Sequence, residues 1–319
     1  MTGNRLLFYV LFLLTLPLLV AWWDITVGCT LFIIALTLLW RWGISLSALL
    51  KPVPVPELQL DTISASHFVE KVRWCMDIMD IEYTERAAGG TLGIFFTGRT
   101  VPQLRIHTGA TRSSIGNSPD ILRYLWGRYS AISPEKTQFL TPTPERLALE
   151  AKIDRYGVNL QVWGYYHLLE NKALSLHLWG RNCPQLPAWQ RYAVLTLFPI
   201  LRFLIRKAFR ISTRSFARAT EKIEAFLLDV EQNLENDQLS ILGNNVESTS
   251  YNYTDISFAA ISGLWLLPEG YGGGKADGVE LKHAVLPPAM LNDIERWIQT
   301  YPKAVALIEH LYQQRGKSQ

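Results

Sequence analysis

The sequence predicts an α/β unit followed by an all-α unit, with two membrane helices ahead of both. Three observations carry that expectation. Leu6 to Trp23 and Ile25 to Trp40 are uncharged apolar runs separated only by Asp24. Between Glu57 and Arg128, short segments of alternating polarity are interleaved with segments of helical period. Beyond Pro134, Pro142 and Pro144, apolar residues recur at helical spacing, the mark of helices with one buried face. The boundaries drawn from these shifts are a hairpin over residues 1–50, a proline linker over 51–56, an α/β domain over 57–129, a linker over 130–144 and a helical domain over 145–319.

The apolar runs come first. At 1.5 Å per residue they span about 27 Å and about 24 Å, so the first just crosses a hydrocarbon core and the second is marginal unless Arg41 snorkels. Arg5 precedes them, Arg41 and Lys51 follow, and only Asp24 lies between. Positive flanks retained on the cytoplasmic face put both ends, and hence the body, on that side of a two-pass protein whose first partner is the lipid bilayer. Trp22, Trp23, Trp40 and Trp42 fall where interfacial aromatics belong. A cleaved signal peptide competes, but no small-x-small site follows the first run and hydrophobic sequence resumes at once. Val27-Gly28-Cys29 has the outline of a lipoprotein box, with Thr26 where leucine is expected.

Composition bounds the chemistry. Of 319 residues, all but about 50 remain for a body with a real core. The net charge of +3 is small and reads as spread out, so nucleic acid is not an expected partner. Cys29, Cys75 and Cys183 form no CxxC pair and no metal-ligand spacing, and the six histidines include no HExxH pattern. Reduced thiols and no metal are the expectation.

Along the body, Lys51-Pro52-Val53-Pro54-Val55-Pro56 reads as an extended, semi-rigid spacer. Glu57 to Ile63 alternates as a first strand. A helix begins near Ser66 or His67 with Phe68, Val72, Cys75, Met76 and Met79 at helical spacing. Ile81 to Thr84 reads as a second strand and Gly89 to Gly98 as a loop. Leu104 to His107 and the residues before Ile115 supply two more strands, and Ser118 to Arg128 a closing helix; Arg86 to Thr100 is left unassigned. Leu149, Ile153, Tyr156, Leu160 and Trp163 form one helical stripe, and Ile223, Phe226, Leu227, Val230 and Leu234 another, with a polar loop from Asn233 to Ser250.

Ser66-His67-Phe68-Val69-Glu70-Lys71-Val72-Arg73-Trp74, then Val101-Pro102-Gln103-Leu104, then Ser118-Pro119-Asp120-Ile121 resemble, in order and spacing, the glutathione-binding half of the glutathione S-transferase family. Ile241-Leu242-Gly243-Asn244 followed by Asn252-Tyr253-Thr254-Asp255-Ile256-Ser257-Phe258-Ala259 is similar to the family's helix-start signature in its C-terminal domain, a capping box with Asn252 at the cap and Asp255 at N3. The likeness covers residues of about 57 to 316. It implies a thioredoxin-like domain followed by a helical one, glutathione as co-substrate, a hydrophobic second substrate and a homodimer.

The resemblance also implies roles, and each has a structural counterpart. Ser66 holds the position that supplies serine or cysteine and would stabilise the glutathione thiolate; it could equally cap the helix. His67 and Val69 stand where many relatives have proline and cysteine. Without a second thiol at position 69, dithiol chemistry is excluded. His67, grouped with Phe68 among the substrate-binding positions, either tunes the site or offers a proton, or else is a neutral exposed residue. A cis bond before Pro102 would turn the Val101 backbone toward the cysteinyl part of glutathione; the ordinary alternative is a trans peptide in a loop. Asn117 and Ser118 sit where the family usually has Glu or Gln before Ser, to hold the γ-glutamyl carboxylate, and Asn-Ser-Pro is equally a good helix start. Asn117 brings no charge for the ammonium.

Other features read as bland. Gly272-Gly273-Gly274-Lys275 lacks the Ser or Thr of a phosphate loop. Arg202, Arg206 and Arg210 with Lys207 read as a solvated basic face opposite Leu201, Leu204 and Ile205, with contact to anionic lipid or a substrate carboxylate as the alternative. Trp163, Tyr165 and Tyr166 read as core before they read as the wall of a substrate site. Two functions stay open: a membrane-anchored enzyme conjugating glutathione to an apolar electrophile, and a catalytically silent membrane adaptor of the same fold, similar in outline to the metaxins.

Overall fold

The computed structural model describes residues 3–50, 55–87, 92, 101–109, 111–234, 240–242, 251–273, 275 and 281–317. Contacts sort the chain into two units, Met1–Leu58 with Ile106–Ser113, and Gln59–Arg105 with Ser114–Gln319.

In the first unit, α1 (Gly3–Ala21) and α2 (Ile25–Leu50) are joined by a turn at Asp24. Asp24 Oδ1 accepts the amides of Thr26 at 2.8 Å and Val27 at 3.1 Å, satisfying the otherwise unpaired donors of the α2 start. Gly28 lets the two helices touch, since a Cβ there would stand 2.4 Å from Ala21 Cα. Thr15, Thr30 and Thr37 return their hydroxyl protons to carbonyls one turn back, so these polar groups ride on apolar helices satisfied. The ranking of the two runs is reversed from expectation. Ile25–Ile44, 20 residues, is long and apolar enough to cross a membrane by length and composition, whereas the apolar part of α1, Phe8–Ala21, is shorter. The helix runs on past Arg41, which the expectation had taken as its limit. Lys51 to Pro54 of the spacer lie outside the described residues.

Four strands, β1 (Glu57–Asp61), β2 (Thr84–Arg86), β3 (Gln103–Thr108) and β4 (Thr111–Gly116), form one sheet in the order β2-β1-β3-β4. β1 and β2 run parallel with Gln59 opposite Thr84, which requires a crossover, supplied by α3 (His67–Ile78). Leu58 and Leu60 point into the core as the alternation requires. β2 starts later than expected because the chain spends Met79 to Ile81 closing α3. Asp80 adopts φ +54° and the Ile81 amide bonds back to Met76 O at 3.1 Å, a left-handed helix cap. The expected glycine-rich loop, Gly89 to Gly98, lies outside the described residues apart from Leu92.

Beyond the sheet come α4 (Ser118–Tyr129), a short α5 (Pro134–Thr137) inside the expected linker, α6 (Pro144–Leu168), α7 (Lys172–Leu178), α8 (Ala188–Thr196), α9 (Phe198–Ala208), α10 (Thr213–Asn233), α11 (Tyr253–Leu266), α12 (Pro288–Thr300) and α13 (Pro302–Lys317). The chain thus adopts a thioredoxin-like sheet with its helices followed by a helical half, the fold class expected. Leu149, Ile153, Tyr156, Leu160 and Trp163 are all buried on α6. α11 is the central helix, packed on α3 and α6, with every residue except Leu264 buried. So apolar a setting demands satisfied polar groups, and the capping box provides them: Asn252 accepts from the first turn, and Asp255 takes the amides of Asn252 at 2.9 Å and Ile241 at 2.8 Å. Of the expected polar loop, residues 235–239 and 243–250 lie outside the described residues, as does Gly274.

Candidate functional site

The turn from Thr62 to Ser66 delivers the chain from β1 to α3. The Ser66 amide donates to Ile63 O at 2.8 Å and Ser66 O receives the first helical bond from Glu70 N at 2.9 Å. Ser66 is the N-cap residue with extended φ and ψ, yet its side chain makes no cap hydrogen bond. It is only half buried. The hydroxyl therefore stands at the positive end of a twelve-residue helix without being consumed by it. Ala65, just before it, is held by Tyr271, whose hydroxyl donates to Ala65 O at 3.0 Å.

His67 and Phe68 turn away from that end. His67 is buried with Nε2 3.3 Å from Gly157 O on α6, and its ring lies 4.4 Å from that of Phe68. A Cβ on Gly157 would stand 2.8 Å from Phe68 Cζ, so the glycine is what lets α6 come this close. Burial pulls the His67 pKa down to about 4, against the partial support of the Gly157 carbonyl, and leaves a neutral imidazole donating to that carbonyl. The expectation of an exposed histidine is corrected: with its partner 90 residues away, the buried ring anchors α3 to α6.

Beneath the site, α3 carries three buried charges. Arg73 donates through Nε to Glu85 at 2.7 Å and through Nη1 to Glu70 at 3.1 Å, and reaches the carbonyl of Ser64. Glu70 also accepts the Gly272 amide at 3.0 Å and pairs with Arg315 from α13, while Arg315 Nη2 reaches Asp77 at 3.1 Å. Lys71 Nζ sits 2.8 Å from Glu150 and 3.3 Å from Asp154 on α6. Glu70, Lys71 and Arg73 stand in the motif around Ser66 with no role that the sequence alone assigns them. The available signal was three charges within four residues on a helix that also had to be core.

Asp61 at the end of β1 takes Arg86 and Arg105, each at 2.7 Å, tying β3 in place three residues after Pro102. The Val101–Pro102 peptide is cis. Gln103 Nε2 donates to Ser114 Oγ at 3.1 Å. At the start of α4, Asn117 has φ +73°, outside the usual range for a residue with a Cβ, and its side chain bonds Asp120 Oδ2 at 3.2 Å in place of capping the helix. Ser118 is only 2 % exposed, and among the described residues its buried Oγ has no hydrogen-bond partner. Ser66, Val101, Pro102, Asn117 and Ser118 all belong to one compact unit.

A cavity of about 510 Å³ opens beside Ala65, lined by Leu264, Leu267, Tyr271, Leu281 and His283 among others. Trp163 belongs to the core, its Nε1 donating to Asp293 at 2.9 Å, and Tyr165 and Tyr166 pack against the cluster of Leu169, Trp179 and Val194. Cys75 is buried and its thiol is pushed up by burial, so it is no nucleophile. Among the described residues, no group of three or more His, Cys, Asp or Glu is placed to hold a metal ion.

No family profile and no curated protein matches the chain. Among solved structures it is similar to a glutathione S-transferase from Methylobacterium radiotolerans in complex with glutathione sulfonate, at 15 % identity over 80 % of this chain and 90 % of that one, with a TM-score of 0.45. A glutathione S-transferase from Rhodospirillum rubrum is similar at 15 % identity over 79 % and 86 % of the two chains, TM-score 0.38. Maleylacetoacetate isomerase from Anaeromyxobacter dehalogenans, with dicarboxyethyl glutathione bound, is similar at 13 % identity over 82 % and 92 %, TM-score 0.39. Likeness at this level does not carry a function to this chain, which has to be argued from its own site.

Proposed function

We propose that the chain binds glutathione at the starts of α3 and α4 and conjugates it to an apolar electrophile, held at a bilayer by its N-terminal helices. The observation that carries this reading is Ser118 Oγ. A buried hydroxyl without a partner costs roughly 1–3 kcal/mol, and native chains keep few of them. At a helix N-terminus the natural partner is an anion, which accepts the hydroxyl proton and meets the positive end of the helix. The γ-glutamyl carboxylate of glutathione fits that place. Asn117, strained beside it, and the Asp120 carboxylate it holds supply polar and negative groups for the neighbouring ammonium. Val101 pairs its backbone with the cysteinyl residue.

Ser66 supports the chemical step. A free thiol has a pKa of about 8.5. An uncommitted hydroxyl that donates to sulfur, at the N-terminus of α3, favours the thiolate at neutral pH. The thiolate pair then attacks the electrophilic carbon, a C–S bond forms, and the leaving group or the adjacent carbonyl oxygen takes the displaced electrons. The cavity beside Ala65 offers the electrophile an apolar wall, and a bilayer would concentrate such substrates. Both N-terminal helices span in this reading, with the body on the cytoplasmic face. The adaptor remains the second reading, favoured by the withdrawal of His67 and Phe68 into the α6 contact, which leaves fewer side chains to meet a ligand.

Ultraviolet thiolate absorbance of glutathione mixed with the full-length protein tests the step. A bound thiol titrating below free glutathione supports the enzyme. Free-solution titration in the presence of excess protein contradicts it.

A further inference from the structure

The charge read as spread out is concentrated. From Asn171 to Thr220 the chain has nine lysines and arginines and no aspartate or glutamate, while the remaining 22 basic and 28 acidic residues leave the rest at −6. This segment includes α8 and α9. Their inner faces join the core through Val194, Phe198 and Leu201. Their outer faces are also apolar: Trp189 is 63 % exposed, Tyr192 71 %, Ile200 57 % and Phe203 63 %, with Leu204 beside them. Ile200, Phe203, Leu204 and Lys207 follow the i, i+3, i+4, i+7 spacing of one helical stripe. Leu204, expected opposite the basic face, is exposed next to it. Arg202 and Arg206 flank the stripe and share one carboxylate, Glu170. Lys207, Arg210, Arg214 and Arg218 are exposed.

A contiguous apolar stripe on a water-facing surface marks an interaction site. The cations around it select the occupant. A second copy of this chain would bring its own positive segment against the first. Aliphatic residues mixed with Trp and Tyr, ringed by Lys and Arg, are the composition of a helix lying in the headgroup region of an anionic bilayer. We propose that α8 and α9 form such a surface, with Trp189, Tyr192, Ile200 and Phe203 entering the acyl boundary and the flanking cations meeting lipid phosphates. This goes beyond the glutathione reading and does not depend on it.

The test uses the full-length chain in vesicles of phosphatidylcholine with or without phosphatidylglycerol. Cys29→Ser removes the exposed cysteine; Cys75 and Cys183 are buried. Spin labels are placed at Phe203→Cys and, as a control on another face, Asp229→Cys. In anionic vesicles the label at 203 is expected to shift from collision with a soluble nickel complex to collision with oxygen, while the label at 229 stays nickel-accessible. Adding Lys207→Glu and Arg210→Glu, both exposed, should reverse the shift without unfolding the chain. A 203 label as nickel-accessible as the control in both vesicle types overturns the proposal. So does a label shielded from both reagents, which would mean a protein partner covers the stripe.

Discussion

The starts of α3 and α4 are built from the same residue type and come out differently. Both place a serine at a helix N-terminus, and neither serine's neighbourhood uses the hydroxyl as a cap. Ser66 is half exposed at the end of a helix locked from below by Glu70, Arg73 and Lys71. Ser118 is enclosed, unpartnered and preceded by a residue at positive φ. Exposure leaves a hydroxyl free to serve a reacting atom that comes and goes, while enclosure without a partner among the described residues leaves a cost that a ligand group or a buried water would remove. In the proposed function one start would serve chemistry and the other binding, and substitutions at the two should separate them.

Removing the charge beneath α3 should cost most. Glu70→Ala removes the buried carboxylate that Arg73 and Arg315 share and leaves them only Glu85 and Asp77, a change worth ~3–5 kcal/mol, whereas Asp120→Ala, at an exposed side chain, should move stability by less than ~1 kcal/mol. Thermal unfolding of the detergent-solubilised chain compares them directly. Equal losses would dissolve the asymmetry.

Acid should act through His67. Its pKa in the folded chain is held near 4 by burial, below the ordinary 6.5. A base with a depressed folded pKa contributes stability that is present above the unfolded value and is lost as pH falls toward the folded one. Between pH 6.5 and 4 the chain should therefore lose about 3 kcal/mol, a loss His67→Gln should not show. An activity limb near pH 6.5 that vanishes in His67→Gln would put the ring back in the site.

At the binding start, Ser118→Ala should weaken both glutathione and S-alkylated glutathione by ~1.5–3 kcal/mol, the worth of a hydrogen bond to a charged group. The same substitution should leave the ligand-free protein as stable or more so, because it deletes a buried hydroxyl that has no partner. A destabilised free protein would mean that the hydroxyl already has structural work. At the chemical start, Ser66→Ala should raise the bound thiol pKa by about one to two units, roughly 1.4–2.7 kcal/mol, and leave affinity for S-alkylated glutathione nearly unchanged. Wild-type turnover in Ser66→Ala would strip the residue of its role.

What could be read in advance was local. Ser66 as a helix start, Asn252 with Asp255 as a capping box, and the stripe of α6 each rest on residues within a turn or a few turns of one another. What could not was set by distant partners. The carbonyl that takes His67 lies on α6, and the arginine that pairs with Glu70 is in the last helix. β2 moved because a left-handed cap at Asp80 used residues that alternate as a strand would. On α9 helical period marks two apolar faces alike, and only the fold decides that the core covers Leu201 and leaves Leu204 exposed. α2 runs past Arg41 to Leu50, because nothing in a helix backbone stops at a charge.

The central claim is that the enclosed hydroxyl at the start of α4 is completed by glutathione. Titration calorimetry of the full-length protein in detergent with glutathione, repeated on Ser118→Ala, measures it directly. Saturable binding by the wild type that weakens roughly tenfold or more in the variant is the predicted result. Absence of binding to the wild type, or equal affinity in both, would contradict the account, and absence of binding would leave the adaptor reading in its place.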